Sequence, residues 1–416
     1  MKTPPTLKRV VVVLSCPSSP ESALNVARSL NAEDVLIVLV SAKSGNIAET
    51  SRHFDHVDII PDLHVNTATL IEYLRQWKIS SKTQPIVIPT SDADLWMLMR
   101  DWELFDAVCQ ALAPPPKLGM LLSDKALFYS FAIQHDLQVP RTFTPSASLS
   151  IKDISEKTDY PVIVKPSIHW KPELIDGLTM GTKAVRVDDA PALVDLFRRI
   201  DAVGYQCLVQ EFIPGDDDQH FDLQIFISGD SMFSAAFTSQ KRRLFPIHSG
   251  AGCYVESVDV PVIVEAGMRA LRAVGFTGIA NVDFKRHATN GKYYMLEVNP
   301  RLAHWNIFSA SCGINFPVLA YREAIGDPLP LLSRQVTNRY FLDLNRDFSA
   351  FRQYNREGEI RMWAYAKTLL RPYLTTYQYW CLSDPVPFVA SVSRLIAGRV
   401  KMRLHRLHMA LTASNF

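Results

Sequence analysis

The chain has 416 residues, of which 48% are hydrophobic and 21% are charged. This length and apolar content are enough for two or three folded domains and exclude an intrinsically disordered protein. The 44 basic and 42 acidic side chains nearly balance, so the overall charge gives no argument for a nucleic-acid partner.

The cysteines and the apolar runs indicate a compartment. Six cysteines are spread along the chain without a Cys-x-x-Cys pair or another spacing typical of metal ligands. Such a pattern fits free thiols in a reducing environment. The apolar run nearest the start, residues 10–14, is too short to span a membrane or to serve as a signal peptide. We therefore expect a cytoplasmic protein.

The first part of the chain alternates between strand and helix patterns. Residues 8–14 form a strand pattern with an apolar, β-branched run, which is followed by a Pro/Ser turn and a helical pattern. The later segments are strands at 34–40, 57–60 and 85–88 and a helix at 67–77. This alternation predicts a parallel sheet. No Gly-x-Gly-x-x-Gly follows the first strand, so we do not predict a dinucleotide site.

The segment after the last of these strands admits two interpretations. Asp92 and Asp94 follow the carboxyl end of a strand, where open α/β sheets bind ligands, so they are candidates for a substrate pocket. Alternatively, Thr90 and Ser91 cap the next helix. Three prolines at 114–116 then mark the first domain boundary.

Two lysines stand at the edges of the next predicted elements. Lys125 lies at the start of a predicted helix, 126–135, with Ser123 as its expected cap, and a lysine in a first helical turn is commonly solvated. Lys165 ends the apolar strand pattern 160–165. A lysine at the end of a buried strand is costly without an anion to pair with.

A cluster of three cations follows a predicted hairpin formed by 221–227 and 232–237. Strand alternation places Lys241 and Arg243 on one side, with Arg242 on the other. Lys241 and Arg243 together would bind a phosphate or a carboxylate. Three successive cations are also typical of a solvated face.

The segment 281–301 carries the most informative pattern in the chain. An Asn-Gly turn separates two strand patterns, 280–286 and 292–298, and predicts a hairpin. Because side chains alternate along a strand, the polar groups share one face. They are Asp283, Glu297, Asn299 and Arg301. Carboxylate and amide oxygens beside an arginine suit Mg²⁺ and a phosphate group.

This segment resembles the metal-binding core of the ATP-grasp superfamily, in which an acidic residue is followed at this spacing by Glu-x-Asn-Pro-Arg. The interval from Asp283 to Glu297 is 297 − 283 = 14 residues, and Leu-Glu-Val-Asn-Pro-Arg stands intact. The resemblance is strongest to the carbamoyl-phosphate-synthetase-like carboxylate–amine ligases. It covers roughly the first 330 residues, with the specific motifs between Lys125 and Arg301.

The resemblance implies roles for the charged residues around this core. Mg²⁺ or Mn²⁺ would be held by Asp283, Glu297 and Asn299. The catalytic residues would be Arg301 with Lys241 or Arg243, which would stabilise the transferring phosphoryl group. The phosphates of ATP would be bound by Lys125 and Lys165, and the loop 167–183 would fold over them.

The segment 207–218 resembles the adenine hinge of the same family. Glu211 and the backbone of Phe212 and Ile213 would contact the adenine ring. Asp218 would bind the ribose hydroxyls, since it lies 218 − 211 = 7 residues after Glu211. Without the resemblance, the three successive aspartates at 216–218 are typical of a charged turn.

The implied fold is α/β, of the α+β ATP-grasp kind. Residues 1–115 would form a Rossmann-like preATP-grasp domain with a parallel sheet. Residues 116–330 would form two ATP-grasp subdomains that clamp ATP, with a hinge near 210–215. Residues 331–416 would form a mostly helical, aromatic-rich extension. Its basic segment 394–416 either packs on the enzyme or contacts an anionic membrane at the inner face.

The implied function is ATP-dependent formation of an amide or peptide bond through an acyl phosphate, with ADP and phosphate as products. The expected partners are ATP, a carboxylate and an amine, with amino acids and sugar acids as candidate substrates, and a second copy in a homodimer. One alternative is another ATP-grasp carboxylation reaction, although the chain contains no biotin-carrier segment. The other is a non-catalytic or regulatory ATP-binding scaffold.

Overall fold

The computed structural model describes residues 8–16, 19–168, 184–202, 204–331 and 334–397. Most of the predicted phosphate loop at 167–183 and most of the basic C-terminal segment at 394–416 lie outside the described residues. The predictions for those two segments therefore remain predictions.

The N-terminal part forms a five-stranded parallel sheet in the order β3-β2-β1-β4-β5. Its strands are β1 (Arg9–Ser15), β2 (Val35–Ser41), β3 (His56–Ile59), β4 (Ile86–Ile88) and β5 (Gln110–Ala111). The accompanying helices are Pro20–Leu30, Ala68–Ser81, Asp92–Arg100 and Trp102–Asp106, with a 3₁₀ turn at Ile47–Thr50. The parallel sheet expected from the sequence is confirmed. Because helices cover both faces, the central strand β1 is apolar along nearly its whole length.

A four-stranded antiparallel sheet follows, in the order β6-β9-β7-β8. Its strands are β6 (Thr142–Phe143), β7 (Val162–Pro166), β8 (Val185–Val187) and β9 (Cys207–Glu211). The helices of this part are Pro116–Ser123, Lys125–Gln134, Ile151–Lys157 and Ala190–Ala202. The expected cap at Ser123 is wrong, because Ser123 ends the preceding helix. The helix is instead capped by Asp124, whose side chain accepts hydrogen bonds from the backbone N–H groups of Ala126 and Leu127.

The largest sheet has seven strands in the order β14-β13-β10-β11-β12-β15-β16, and only the β15–β16 pair is parallel. The strands are β10 (His220–Ile227), β11 (Ser234–Phe245), β12 (Ala251–Ser257), β13 (Gly278–Arg286), β14 (Tyr293–Asn299), β15 (Tyr340–Leu342) and β16 (Thr375–Tyr377). The remaining helices are Pro261–Ala273, Asn306–Ser311, Phe316–Ile325, Leu344–Arg356, Met362–Leu369 and residues 386–397, with 3₁₀ turns at Asp217–Gln219 and Pro372–Leu374. Both predicted hairpins, β10–β11 and β13–β14, are present.

The two faces of this central sheet differ in character. On one face, Leu223 and Val282 pack in an apolar core beneath the helix Pro261–Ala273. The helix lies very close to the sheet at Gly267, where a Cβ atom would stand 2.3 Å from Leu223 Cδ2. The opposite face of β10, β13 and β14 carries polar side chains at the alternate positions. This polar face positions the candidate site.

The described residues after 330 contact the sheets and helices of the earlier parts of the chain. The strand β15 pairs with β12, so part of the C-terminal extension belongs to the central sheet. Beyond it, the buried carboxylate of Asp384 accepts a hydrogen bond of 3.0 Å from Arg28 Nε of the N-terminal part. Arg346 similarly pairs with Glu21. In the described part of the chain, no helix combines the length and the apolar character that crossing a membrane requires.

Candidate active site

Cross-strand register on the polar face brings three carboxylates together. Asp222 on β10 is paired with Asp283 on β13, which is paired with Glu297 on β14. In the next row, Asn281 is paired with Asn299. Directly opposed residues have Cβ atoms about 5 Å apart, so these side chains form one compact oxygen-rich surface.

Lysines from two parts of the chain reach this surface. Lys241 Nζ lies 2.5 Å from Asp283 Oδ1, and Lys125 Nζ lies 3.3 Å from Glu297 Oε2. The Nζ atom of Lys165 is buried and donates a 3.0 Å hydrogen bond to the hydroxyl of Tyr129. The sequence-based grouping of Lys125, Lys165 and Lys241 with the two carboxylates is therefore present in space.

Burial sets the protonation behaviour of the site. It lowers the pKa of Lys165 to about 8, although the carboxylates of Glu297 and Asp283 act in the opposite direction. Burial also raises the pKa of Asp283, against the effect of the Lys241 ammonium. Burial alone would lower the pKa of Lys241. The carboxylates of Asp283 and Asp222 have the larger, opposite effect, so the pKa lies above the usual value for lysine and this side chain stays charged.

Arg243 does not join this group, contrary to the expectation from strand alternation. The register of β11 against β12 shifts between Lys241, which faces Val255, and Arg243, which faces Tyr254. The extra residue at this bulge turns Arg243 to the opposite face. There its guanidinium forms a buried pair with Asp347, with Nε–Oδ1 and Nη2–Oδ2 distances of 2.6 and 3.0 Å. It is a structural cation rather than part of the polar face.

Arg301 closes the site from the side of the N-terminal part. Its Nε atom lies 2.5 Å from Asp92 Oδ1. Asp92 lines the same cleft as Lys125, Glu297 and Asn299. Both interpretations of residues 89–94 hold in part, because Ser91 caps the helix while Asp92 faces the site. Asp94 is instead buried against His64.

The predicted adenine hinge lies at the end of β9. Glu211 Oε2 accepts a 3.0 Å hydrogen bond from the backbone N–H of Arg141, so this carboxylate holds the hinge to β6. Phe212 and Ile213 follow the last residue of the strand. The ring of Phe212 lies under the Arg186 guanidinium and the Lys285 ammonium, each 4.9 Å from its centroid.

The three successive aspartates beyond the hinge have different surroundings. Asp217 Oδ2 accepts hydrogen bonds of 2.6 Å from the Tyr354 hydroxyl and 2.7 Å from the His248 backbone N–H. Asp218 is 45% exposed, and its Oδ2 atom lies 3.9 Å from Arg242 Nη1. Among these aspartates Asp217 has a structural role, and Asp218 retains a carboxylate that solvent can reach.

Asp222 and its neighbours were not singled out in the sequence. His220, Asp222 and Gln224 alternate with apolar residues along β10, and this period-two pattern was the available signal. Neither carboxylate oxygen of Asp222 has a hydrogen-bond partner among the described residues, and the same is true of Oδ1 of Asn281. Burial raises the pKa of Asp222, with the Lys241 ammonium opposing it.

These oxygen atoms fit a hard divalent cation. Asp283, Glu297 and Asn299 present side-chain oxygens on one face, and the partnerless oxygens of Asp222 and Asn281 lie beside them. Mg²⁺ is bound through such oxygens together with phosphate groups. Leaving several buried carboxylates without cations is costly, and the lysines already compensate for part of that charge.

Comparison with known proteins agrees with this arrangement. A family model described as "ATP-grasp in the biosynthetic pathway with Ter operon" matches residues 242–340. A D-aspartate ligase of Enterococcus faecium is 26% identical over 205 residues, which are 47% of this chain and 48% of that protein. The carbamoyl phosphate synthase large chain of Thermotoga maritima is 25% identical over 222 residues, 51% of this chain and 19% of that protein. The chain thus matches about half or less of the length of these curated relatives.

A solved structure gives the same fold. The N5-carboxyaminoimidazole synthetase from Staphylococcus aureus, crystallised with ADP, superposes with a TM-score of 0.62 at 13% identity, covering 85% of this chain and 87% of that one. The likeness at this identity concerns the fold. Together with the matched sequences and the intact pattern from Asp283 to Arg301, it makes this chain similar to ATP-grasp proteins in sequence and in fold.

Proposed function

We propose that this protein is an ATP-dependent carboxylate–amine ligase that forms an amide or peptide bond. The observation that carries the proposal is the convergence, on one buried polar face, of carboxylates in cross-strand register with lysines that neutralise them. Phosphoryl transfer depends mainly on positioning and on neutralising charge, and this surface provides for both. The D-aspartate ligase named above supports amide formation over other ATP-grasp reactions.

The nucleotide would lie between the hinge and the central sheet. Glu211 and the backbone of Phe212 and Ile213 would contact the adenine ring, and Asp218 would bind the ribose. Lys125 and Lys165 would anchor the phosphates. The placement of Lys165 supports this role, since a buried ammonium whose hydrogen-bond acceptor among the described residues is a tyrosine hydroxyl gains from a phosphate partner.

Mg²⁺, or Mn²⁺ in its place, would be held by Asp283, Glu297 and Asn299. When bound, it would neutralise negative charge on the phosphates of ATP. The side chains have their own tasks in this proposal. Lys241, which pairs with Asp283, would bind the transferring phosphoryl oxygens. Arg301, which Asp92 orients, would bind the same oxygens from the other side.

The chemistry would proceed in two steps. First, a substrate carboxylate oxygen forms a bond to the γ-phosphorus of ATP while the bond to the β–γ bridging oxygen breaks, which gives an acyl phosphate and ADP. Second, the amine nitrogen attacks the acyl carbon, the carbon–oxygen bond to phosphate breaks, and the nitrogen loses a proton to solvent. Arg301 and Lys241 would stabilise charge in both steps, and no covalent enzyme intermediate is needed.

The substrates and partners are part of the proposal. An amino acid joined to a second amino acid or to a sugar acid fits the proposed chemistry.

We also propose a homodimer, which gel filtration with light scattering tests directly. Contact of the basic segment 394–416 with an anionic membrane is tested by sedimentation with anionic liposomes. Unchanged sedimentation after deletion of this segment would reject that contact.

The proposed function predicts phosphate release from Mg-ATP only when both a carboxylate and an amine are supplied. The purified protein is incubated with pooled amino acids and pooled carboxylates, and phosphate is measured. Glu297→Ala is expected to lower release at least about 100-fold, because a carboxylate that binds the cation is lost. Glu156→Ala removes an exposed glutamate far from the cleft and serves as the matched control. Release that is equal in Glu297→Ala and in the wild type would contradict the assignment.

A further inference from the structure

A second cleft lies on the opposite face of the central sheet from the candidate active site. Its floor is formed by Tyr254 of β12 and Tyr340 of β15, and one wall by Arg242 and Arg243 of β11. The segment 367–371 of the C-terminal extension forms the other wall. The cleft is open to solvent and has a volume of about 290 Å³, near the lower end of the range of sites for small molecules.

The base of the cleft is a stacked pair of tyrosine rings. The rings of Tyr254 and Tyr340 stack with a centroid distance of 5.4 Å and an interplanar angle of 7°. Each ring also contacts a guanidinium, because Arg243 lies 4.2 Å from the Tyr254 centroid and Arg371 lies 5.0 Å from that of Tyr340. Both tyrosines are buried. Stacked rings of this kind hold their cations in place and limit access of water.

The charges that border the cleft do not cancel. Arg243 is neutralised by Asp347, and Arg242 is neutralised by Glu256, with a 2.7 Å distance between Nη2 and Oε2. Lys367 and Arg371 form no salt bridge with a described residue, although the Tyr340 hydroxyl, which accepts a hydrogen bond from Arg371, donates one of 3.3 Å to Glu256 Oε1. Arg371 donates to the Tyr340 hydroxyl, and Lys367 Nζ lies 4.5 Å from the Trp363 ring centroid. Lys367 and Arg371 are exposed, so two positive charges remain beside the stacked tyrosines.

We propose that this cleft is an anion site that binds the phosphoryl group of a small phosphorylated molecule. The guanidinium of Arg371 and the ammonium of Lys367 are donors only, so their partner must supply acceptor oxygens. A guanidinium binds two oxygens of a phosphate with parallel hydrogen bonds, and a doubly charged phosphoryl group matches the two uncompensated cations.

Arg242 connects this cleft with the candidate nucleotide site. One of its nitrogens pairs with Glu256 in the cleft, and Nη1 lies 3.9 Å from Asp218 Oδ2. An anion that attracts Arg242 would weaken its interaction with Asp218, which we assign to the ribose. The effect on nucleotide affinity rests on the proposed function, whereas the anion site does not.

The test uses inorganic phosphate as the probe and the full-length protein already saturated with ADP and Mg²⁺. Titration calorimetry is expected to show phosphate binding to the wild type and at least about tenfold weaker binding to Lys367→Ala/Arg371→Ala. The control is Arg352→Ala/Arg356→Ala, which removes the same charge from exposed positions outside the cleft and should bind phosphate as the wild type does.

Several results would overturn the anion site. One is equal phosphate affinity in all three proteins, and another is no binding to the wild type up to about 20 mM phosphate. Loss of phosphate binding in Glu297→Ala with full binding in Lys367→Ala/Arg371→Ala would place the phosphate in the active site and leave the ligase proposal intact. For the connection through Arg242, phosphate should change ADP affinity in the wild type and not in the cleft variant. An unchanged ADP affinity in the wild type would overturn that connection.

Discussion

At the scale of single residues, neighbouring cations have separate tasks because of one bulge. Lys241 reaches Asp283 on the polar face, whereas Arg243 pairs with Asp347 on the other. Charge and spacing in the sequence do not distinguish the two, since alternation predicts that they share a face. The distinction arises from the register of β11 against β12. Such a bulge depends on long-range pairing and leaves no local signal here.

The buried pair gives a prediction for Arg243. Arg243→Met leaves the carboxylate of Asp347 buried without its cation, which should lower the free energy of unfolding by roughly 3–5 kcal/mol. Arg243→Met/Asp347→Leu should recover much of that loss. Urea unfolding of the wild type and the two variants measures these free energies. If Arg243→Met were as stable as the wild type but inactive, Arg243 would belong to the catalytic group after all.

Lys165 gives a prediction about pH. Its pKa of about 8 means that the ammonium is lost as the pH rises above 8, and a neutral amine does not attract phosphate. ADP affinity should therefore fall above pH 8, by at most about tenfold for each pH unit, because one proton is involved. Fluorescence titration between pH 6.5 and pH 9.5 measures the slope.

The matched variant for this experiment is Lys165→Arg, since a guanidinium stays charged over the whole range. Its ADP affinity should be nearly independent of pH, whatever its absolute value. Parallel slopes in the two proteins would show that another group causes the dependence on pH.

At the scale of elements, the patterns with local causes were predictable and the long-range ones were not. The β13–β14 hairpin follows from its Asn-Gly turn and its alternating strands, and with it the positions of Asp283 and Glu297. The three-residue strands β15 and β16 were missed within an extension expected to be mostly helical. Strands this short have too few residues to show a period of two.

A substitution at Asp384 measures how much the contact between the C-terminal extension and the N-terminal part contributes to the free energy of unfolding. Its carboxylate accepts hydrogen bonds from the Arg28 guanidinium, the Ser51 hydroxyl and the Arg52 backbone N–H. Asp384→Asn should lower the free energy of unfolding by roughly 3–5 kcal/mol at pH 7, because the buried Arg28 loses its counter-charge. Ser383→Ala, at the exposed neighbouring position, should leave it nearly unchanged.

The pKa of Asp384 predicts how this contribution to the free energy of unfolding depends on pH. Burial acts to raise the pKa of Asp384, but these hydrogen bonds outweigh it, so the pKa lies below the usual 3.8. A lowered pKa in the folded state means that the stabilisation is complete above pH 3.8 and is lost as the pH falls through the folded value. The difference in the free energy of unfolding between the wild type and Asp384→Asn should thus decrease only in acid, below pH 3.8. A difference that shrinks between pH 7 and pH 5 would contradict this.

At the scale of the whole molecule, the candidate site draws on three parts of the chain that are far apart in the sequence. Lys125 and Lys165 come from the second part, the carboxylates come from the central sheet, and Asp92 comes from the N-terminal part. The motif between Asp283 and Arg301 allowed most of the set to be predicted. The pairing of Arg301 with Asp92 was not predictable, because the two residues are 209 positions apart and nothing local links them. The second cleft, between the central sheet and the C-terminal extension, was likewise not predictable, because its residues come from distant segments of the sequence.

The central claim is that a substrate carboxylate takes the γ-phosphoryl group of ATP on this surface. The most direct measurement follows oxygen atoms from a carboxylate pool labelled with ¹⁸O into the phosphate that is released in the presence of an amine. An acyl phosphate route predicts one ¹⁸O atom in each phosphate, because the carbon–oxygen bond breaks when the amine attacks. The label should depend on Glu297 and not on Glu156. Phosphate released without ¹⁸O would show that water, and not the carboxylate, attacks ATP, and would contradict the ligase assignment.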